Sequence, residues 1–250
     1  MKTIVDTIAV EYEEQGAGPS VLLLHGWKDN LRTFDPLLAV LGTAFRIVRL
    51  DLPGFGGSES PKTPWRVGEY ARFVRHFCDK LGVRPDIVIG HSFGGRVAIR
   101  GYADGVLTPE KLVLMASAGI AKHRTLRNRL LYLVAKVGKA ALSVFPYAVR
   151  ERFRSKLYKK IGSDYKEAGK LRKTFLMATH EDLSEAARKI NAPTLLIWGT
   201  TDSATPLLDG KRYAELISGS RLEVIEGAGH FVHQEQPEAV AELIRSFVRS

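Results

Sequence analysis

Strand-sized apolar runs alternate with helical patterns along most of this chain, and this alternation constrains the fold more than any other feature. It is typical of βαβ units arranged around a mainly parallel sheet. The runs that predict strands lie at 21–25, 46–51, 86–90, 111–116, 194–198 and 221–225, and a period-two stretch between Ile4 and Tyr12 predicts one early, half-exposed strand. Helices are predicted at 34–41, 67–81, 93–102, 207–217 and 237–248. We therefore expect an α/β fold in which helices flank the sheet.

The strand pattern stops after Gly119 and resumes only about 70 residues later, so 120–189 is predicted to be an inserted helical segment. The core of the fold is then formed by 1–119 and 190–250. Within the insertion, apolar residues recur at three- and four-residue steps with Arg and Lys between them, at Leu126, Leu130, Val134 and Val137. This spacing predicts an amphipathic basic helix that either caps a cleft or lies on a membrane.

The excess positive charge of the chain is concentrated in this insertion. The net charge is +10, and residues 121–190 contain 18 Lys and Arg but six Asp and Glu, whereas the rest has 19 basic and 21 acidic residues. Such a block attracts anionic substrates, lipid surfaces or nucleic acid, or else it is an ordinary solvated helical face. We expect at most a weak attraction to anionic membranes or substrates. No nucleic acid partner is expected, because the block has no recognised motif and its helices are needed over a cleft.

Composition narrows the class of protein further. With 250 residues, of which 45% are hydrophobic and 26% charged, the chain has enough apolar side chains for a large core. Its apolar runs are far shorter than the roughly 20 residues that cross a bilayer, and no apolar stretch follows Lys2 as a signal peptide requires. Cys78 is the only cysteine, which excludes an internal disulfide and a cysteine-cluster metal site. We therefore expect a cytoplasmic protein.

The strongest chemical signal is the sequence Gly-His-Ser-Phe-Gly at 90–94, which stands between a predicted strand and a predicted helix. This is the Gly-x-Ser-x-Gly pattern of a nucleophile elbow, in the strand-turn-helix context that the pattern requires. A serine at such a turn takes a strained backbone conformation and projects its hydroxyl above the sheet, while the glycines relieve crowding. Ser92 is therefore the predicted nucleophile.

A serine hydroxyl needs a base that removes its proton and a carboxylate that orients the base. His230 and Asp202 are the candidates, because each follows a predicted strand and the carboxyl ends of parallel strands share one edge of the sheet. Their order after Ser92, first the aspartate and then the histidine, is that of hydrolases with this elbow. Glu226 is a second candidate for the acid, since it lies closer in sequence to His230.

Together these residues resemble those of the α/β-hydrolases, of the cap-bearing type with a Ser-Asp-His triad. The resemblance covers essentially the whole chain, with a looser match in the insertion. It implies an eight-stranded, mostly parallel sheet with a helical cap inserted after the sixth strand. It also favours Asp202 over Glu226 as the acid, and it implies a structural role for Asp51 in the loop that follows its strand.

The oxyanion that forms during acyl transfer needs hydrogen-bond donors. The amide of Phe93 is one candidate, because it begins the helix after the nucleophile, where the helix dipole favours negative charge. By resemblance, the amide of Trp27 is the second, and His25 shapes this loop without transferring protons. His91 sits beside the nucleophile, but the geometry of the elbow should turn it away, so we expect a packing or hydrogen-bonding role for it. For His233 we expect a structural or surface role, with substrate contact left open. No motif accompanies the other three, for which we expect surface or core positions: His76, His123 and His180.

The resemblance implies a serine hydrolase that cleaves a carboxylic ester or a related small acyl substrate through an acyl-enzyme. Related enzymes that open epoxides or remove halides use an aspartate where this chain has Ser92, so those two reactions are not expected. Neither a cofactor nor a metal is expected, because the sequence has no metal-ligand spacing, Walker A sequence or dinucleotide fingerprint. Two alternatives stay open: a ligand-binding, receptor-like protein with low turnover, and a membrane-surface lipid hydrolase that uses the basic cap.

Overall fold

The computed structural model of the chain describes residues 1–42, 44–121 and 171–249. Within these ranges eight strands form one sheet: β1 Lys2–Val5, β2 Ile8–Gln15, β3 Ser20–Leu24, β4 Arg46–Leu50, β5 Ile87–His91, β6 Lys111–Met115, β7 Thr194–Gly199 and β8 Arg221–Ile225. Their order across the sheet is β1-β2-β4-β3-β5-β6-β7-β8. The strands from β3 to β8 pair in parallel, whereas β1 and β2 are antiparallel to their neighbours. The predicted eight-stranded, mostly parallel sheet is confirmed.

Helices flank the sheet on both faces. In the described ranges they are α1 Asp35–Leu41, α2 Val67–Leu81, α3 Phe93–Ala103, α4 Arg172–His180, α5 Ser184–Ala187, α6 Leu207–Leu216, α7 Val232–Glu235 and α8 Pro237–Arg249, and a short 3-10 helix precedes α1. Successive strand residues point to opposite faces. Val21 and Leu23 of β3 therefore share a core with α1, α7 and α8, whereas Leu22 and Leu24 share one with α2, α3, α5 and α6.

The amino-terminal part of the sheet differs from the prediction. The sequence pattern predicts one strand between Ile4 and Tyr12, but the structure has two antiparallel strands, β1 and β2. The chain reverses between them at Asp6 and Thr7, whose φ angles are 46° and 69°. Two-residue hairpin turns with positive φ usually contain glycine or asparagine, so the turn was not recognisable in the sequence Asp-Thr.

Only part of the predicted insertion belongs to the described ranges. Residues 171–189 contain the helices α4 and α5. The basic amphipathic helix predicted around Leu126 to Val137 lies outside the described residues, and the boundaries of the insertion stay a prediction. Within 1–42, 44–121 and 171–249, no helix is both long and apolar enough to cross a bilayer.

The strand order brings four loops to one edge of the sheet. The chain leaves β3 toward β4 on one side, and it leaves β5 toward β6 on the other. Where adjacent strands connect in opposite directions, a crevice opens at their carboxyl ends. The loops after β3 and β5 contain Trp27 and Ser92, and the loops after β7 and β8 contain Asp202 and His230. All the predicted site residues therefore belong to this edge.

Candidate active site

Ser92 lies in the tight turn between β5 and α3. Its φ of 50° and ψ of −106° form a backbone conformation that residues with side chains rarely adopt. The chain passes so close to its neighbours here that two positions require glycine. A Cβ atom at Gly94 would overlap the carbonyl oxygen of Leu24, and a Cβ at Gly90 would lie 2.6 Å from the nitrogen of Gly95. Strain and close packing together give Ser92 the backbone geometry that the sequence pattern predicts for a nucleophile elbow.

Asp202 and His230 come together although they lie on loops after different strands. His230 donates from Nδ1 to Oδ2 of Asp202 over 2.8 Å. The other carboxylate oxygen, Oδ1, accepts from the backbone N–H groups of Ala204 at 2.8 Å and Thr205 at 2.9 Å. The Asp202 side chain is fully buried and that of His230 is 18% exposed. The imidazole, rather than the carboxylate, therefore borders the cleft.

The contacts of Asp202 determine its ionisation. Burial by itself raises the pKa of this carboxyl group, but the hydrogen bond and charge of His230 and the bonds from Thr205 outweigh burial, so that the pKa lies below its ordinary value. Asp202 is therefore ionised at neutral pH. An ionised carboxylate beside Nδ1 keeps a proton on that nitrogen and leaves Nε2 of His230 able to act as a base.

Two further imidazoles pack against the loop of His230. The ring centroid of His91 lies 4.8 Å from that of His230 and 4.5 Å from that of His233. His91 donates from Nε2 to the carbonyl oxygen of His230 over 2.9 Å, which is the hydrogen-bonding role expected for it. Burial lowers the pKa of His91 well below its ordinary value and lowers that of His233 to about 3. Both rings are therefore neutral at pH 7 and add no positive charge beside His230.

Buried polar side chains form hydrogen bonds in and around the predicted oxyanion loop, which contains Gly26 and Trp27. His25 donates from Nδ1 to the carbonyl oxygen of Gly26 over 2.7 Å, and its Nε2 accepts from the N–H of Leu52 over 2.9 Å. Burial lowers the pKa of His25, and with both nitrogens occupied the ring has none left for proton transfer. Asp51 accepts from the N–H of Gly57 over 2.7 Å. These contacts agree with the structural roles that the resemblance implied for His25 and Asp51.

The cleft at the carboxyl edge joins the predicted residues. Trp27 and Phe93, whose amides are the predicted oxyanion donors, border it together with Ser92 and His230. The ring centroid of Trp27 lies 5.1 Å from that of Phe93 and 5.2 Å from that of Phe175. These rings make one wall of the cleft apolar, and such a wall suits the hydrocarbon part of an acyl group.

Neither Glu226, the alternative acid, nor His233 is among the described residues that border the cleft. Glu226 accepts from the hydroxyl of Thr200 over 3.3 Å, and in the described part of the chain it has no hydrogen bond with His230. His233 is fully buried and lies 3.1 Å from the hydroxyl oxygen of Thr33. The structure therefore pairs His230 with Asp202 and gives His233 a place in the core.

The other two described histidines lie at the surface and at the cleft. His76 is exposed and pairs with the carboxylate of Asp6. His180, at the end of α4, borders the cleft although no motif marks it in the sequence. The prediction for His123 lies outside the described residues.

Thr205 was not recognisable as a site residue from the sequence, although its hydroxyl contacts both Asp202 and His230. Its Oγ1 lies 2.8 Å from Oδ2 of Asp202 and 3.2 Å from Nδ1 of His230. One local sequence signal, an aspartate that can form an Asx turn, precedes Thr205 at position 202. An aspartate side chain that accepts from the backbone N–H two residues later forms an Asx turn, and such a turn after Asp202 brings the third residue back toward the carboxylate.

Known proteins resemble this chain in sequence and in fold. A family model described as "Alpha/beta hydrolase family" matches residues 21–243. An uncharacterized hydrolase of Bacillus subtilis is 28% identical, over 98% of this chain and 96% of its own length. A 2-hydroxy-6-oxononadienedioate/2-hydroxy-6-oxononatrienedioate hydrolase of Pseudomonas putida is 27% identical, over 96% of this chain and 91% of its own length. The solved structure of an esterase from Exiguobacterium antarcticum matches with a TM-score of 0.76 and 22% identity, over 100% of both chains.

Proposed function

This chain belongs to the alpha/beta hydrolase family, and from that premise we propose that it is a serine hydrolase that cleaves a carboxylic ester or a related small acyl substrate. The observation that carries the proposal is the 2.8 Å hydrogen bond between His230 and Asp202 beside a cleft that Ser92 also borders. A base oriented by a carboxylate, in one cleft with a strained serine, is the arrangement that activates a hydroxyl nucleophile.

In the proposed reaction, Oγ of Ser92 attacks the substrate carbonyl carbon while Nε2 of His230 accepts the hydroxyl proton. Asp202 holds the opposite ring nitrogen and stabilises the imidazolium that forms. The imidazolium then gives its proton to the leaving group, whose bond to the carbonyl carbon breaks, and the acyl group stays on Ser92. A water molecule, deprotonated by the same histidine, hydrolyses this acyl-enzyme and restores the serine.

The negative charge that develops on the carbonyl oxygen is assigned to the amides of Trp27 and Phe93. Phe93 is the first residue of α3, where backbone N–H groups lack helical partners and the helix dipole favours an anion. Trp27 follows the neighbouring strand β3 and borders the same cleft. Donors of this kind contribute about 2.7–4 kcal/mol each to stabilising the transition state.

Hydrolysis of p-nitrophenyl esters from acetate to palmitate, compared between the wild type and Ser92→Ala, tests the proposal. We expect turnover by the wild type and none above background by the variant, which lacks the attacking oxygen. The preferred chain length then measures the acyl part of the cleft. Activity that survives the substitution would remove Ser92 as the nucleophile.

Labelling with a fluorophosphonate separates two negative results. A wild type that is labelled at Ser92 but turns over none of these esters has a working nucleophile behind a selective cleft. A wild type that is neither labelled nor active would replace the enzyme proposal by the ligand-binding alternative.

A second candidate, hydrolysis of a carbon–carbon bond in an anionic substrate, is favoured by one relative and one residue. The Pseudomonas putida relative is named for a dioate, which carries two carboxylates. In this chain Arg96 borders the cleft, is 5% exposed, and donates to the carbonyl oxygens of Thr179 and Glu181. A guanidinium has five N–H donors and binds carboxylates well. Turnover of a 2-hydroxy-6-oxo-dienoate by an enzyme that is inactive on neutral esters would favour this candidate, and the reverse preference would remove it.

A further inference from the structure

The hydroxyl of Thr205, inside the candidate site, has three polar neighbours but only one proton to donate. Oγ1 of Thr205 lies 2.8 Å from Oδ2 of Asp202, 2.9 Å from the carbonyl oxygen of Ala116 and 3.2 Å from Nδ1 of His230. The ionised carboxylate and the carbonyl only accept, whereas Nδ1 of His230 donates its proton. The hydroxyl therefore donates to one of the two oxygens and accepts a share of the Nδ1–H bond.

The surroundings hold this hydroxyl in place. Thr205 is 6% exposed, its N–H donates to Oδ1 of Asp202 over 2.9 Å, and its carbonyl oxygen accepts from the indole N–H of Trp198 over 2.9 Å. Ala116, which follows β6, has a φ of 44°, and its carbonyl oxygen lies 2.9 Å from the hydroxyl oxygen of Thr205. Thr205 thus connects the segments that follow β6, β7 and β8 at the point where the acid meets the base.

We propose that Thr205 is a positioning residue for the acid–base pair, whose hydroxyl oxygen holds Nδ1 of His230 and Oδ2 of Asp202 in register and so orients the imidazole toward Ser92. The inference rests on the proposed serine hydrolase function. Packing alone does not require the hydroxyl, because valine has the same shape as threonine and differs in this one polar group. The role belongs to the oxygen, since it contacts both partners whichever oxygen receives the hydroxyl proton.

Among the described residues, Asp202 is hydrogen-bonded to the imidazole of His230, His91 packs against that imidazole, and His233 packs against His91. The other titratable residues that border the same cleft are Lys28, Asp29, Arg96, His180 and Asp209. Burial lowers the pKa of both His91 and His233, so both rings are neutral near pH 7. A change in the pH profile that follows substitution of Thr205, and that is absent from a matched control variant, therefore reports on the contacts of the Thr205 hydroxyl.

The test compares Thr205→Val, which removes the hydroxyl, with Thr205→Ser, which keeps it, by the pH profile of kcat/KM on the best p-nitrophenyl ester. Thr205→Val is expected to lower kcat/KM roughly ten- to 100-fold, the cost of a misplaced catalytic group. It is also expected to move the acid limb by about half a pH unit to one unit, since a hydrogen bond is worth that much differential interaction. Thr205→Ser should keep kcat/KM and the position of the acid limb close to those of the wild type.

The direction of the shift identifies the acceptor of the hydroxyl proton. A shift to higher pH means that the hydroxyl donates to Asp202, because its loss leaves more negative charge beside the imidazolium. A shift to lower pH means that it donates to Ala116 and turns a lone pair to the imidazolium. An acid limb that does not move in Thr205→Val, with or without a loss of rate, would overturn the proposal.

Thr201→Val is the matched control. Its hydroxyl also donates to a carbonyl, that of Ala228 over 2.9 Å, and within the described residues it has no hydrogen bond to the acid–base pair. The acid limb should stay in place in this variant. Circular dichroism checks each fold, and Thr205→Ala replaces Thr205→Val if the valine variant does not fold.

A measurement without turnover separates this inference from the proposed function. The Nδ1–H proton of His230 gives a downfield resonance in proton NMR when it is hydrogen-bonded to a carboxylate. Thr205→Val should move or broaden this resonance and Thr205→Ser should return it, even in an enzyme that cleaves no ester. A resonance identical in the wild type and in Thr205→Val would overturn the positioning role. A wild type that hydrolyses no ester, but whose resonance moves in Thr205→Val, would contradict only the proposed function.

Discussion

The turn at 90–94, with the proposed nucleophile, and the loops at 199–205 and 226–231, with the proposed acid and base, are held at the same cleft by different physical means. Backbone sterics hold the turn, since Gly94 leaves no room for a Cβ against the carbonyl of Leu24 and Ser92 has a positive φ. Hydrogen bonds hold the loops, because Asp202 and His230 are 28 residues apart and meet through one bond of 2.8 Å.

Because of this difference, the two regions should respond differently to pH and to amino-acid substitution. Steric exclusion does not depend on ionisation, so the turn should be insensitive to pH and highly sensitive to side-chain volume. The loops contain a carboxylate whose hydrogen bonds keep its pKa low, and two buried neutral imidazoles pack near His230. Their structure should therefore be sensitive to pH and to substitution of polar side chains. The following four changes separate the two regions.

The largest effect is expected from His230→Ala. It should lower kcat by about 10⁶-fold, as much as Ser92→Ala, and the double variant should lose no more than either single variant, because such residues act as a unit. Single-turnover kinetics with an activated ester measures all three. Losses that multiply in the double variant would mean that the turn and the loops act independently.

Asp202→Asn should reduce kcat by about 10⁴-fold, because the amide favours the wrong tautomer of the imidazole. The matched control is Glu226→Gln, which removes the alternative carboxylate and is expected to stay within about twofold of the wild type, as surface changes usually have small effects. The two variants are compared on the same ester. A greater loss in Glu226→Gln would transfer the role of the acid to that residue.

Gly94→Ala tests the steric side of the comparison. The added Cβ would overlap the backbone of Leu24, so the free energy of unfolding should fall by about 4 kcal/mol or more, which is exceptional for one substitution. Gly68→Ala is the control, because a Cβ there comes no closer than 3.7 Å to any atom outside its chain neighbours and the adjacent backbone of its own helix, and a helix favours alanine by about 1 kcal/mol. Urea unfolding measures both. A Gly94→Ala variant as stable as the Gly68→Ala variant would show that the turn can relax to accommodate the added Cβ.

His233→Gln tests the ionisation side and should have the smallest effect. The pKa of His233 is about 3 in the folded chain against 6.5 unfolded, so the unfolded state binds the proton first as the pH falls. This site therefore removes stability progressively from about pH 6.5 to about pH 3, by up to about 1.4 kcal/mol per pH unit. Glutamine should make the fall in the free energy of unfolding between pH 6.5 and 4.5 less steep. An unchanged slope would mean that His233 is not held neutral.

The predicted strands and long helices agree with the structure where the hydrophobic period was long enough to read. The helix over 67–81 has the bounds expected from its apolar spacing. The hairpin turn at Asp6 and Thr7 was missed because its residues are not those usual for positive φ. The four-residue helix α7 was missed because it is about one turn long and shows no period.

The candidate site divides in the same way. The serine turn was predictable because its glycines and its strand-turn-helix context are adjacent in the chain. Asp202 and His230 were predictable only as residues at strand ends, and their pairing with each other, rather than of His230 with Glu226, became visible in the fold. Thr205 has no motif of its own, since its significance depends on contacts with Ala116 and His230.

The order of residues along this chain is thus enough to predict the parallel sheet and the serine turn, because the hydrophobic period and the Gly-x-Ser-x-Gly sequence are both read from neighbouring residues. The pairing of Asp202 with His230, the contacts of the Thr205 hydroxyl with both, and the neutral state of His91 and His233 are decided by the tertiary structure. Hydrogen bonds and pKa shifts depend on distances and burial between segments that only the folded sheet brings to one edge.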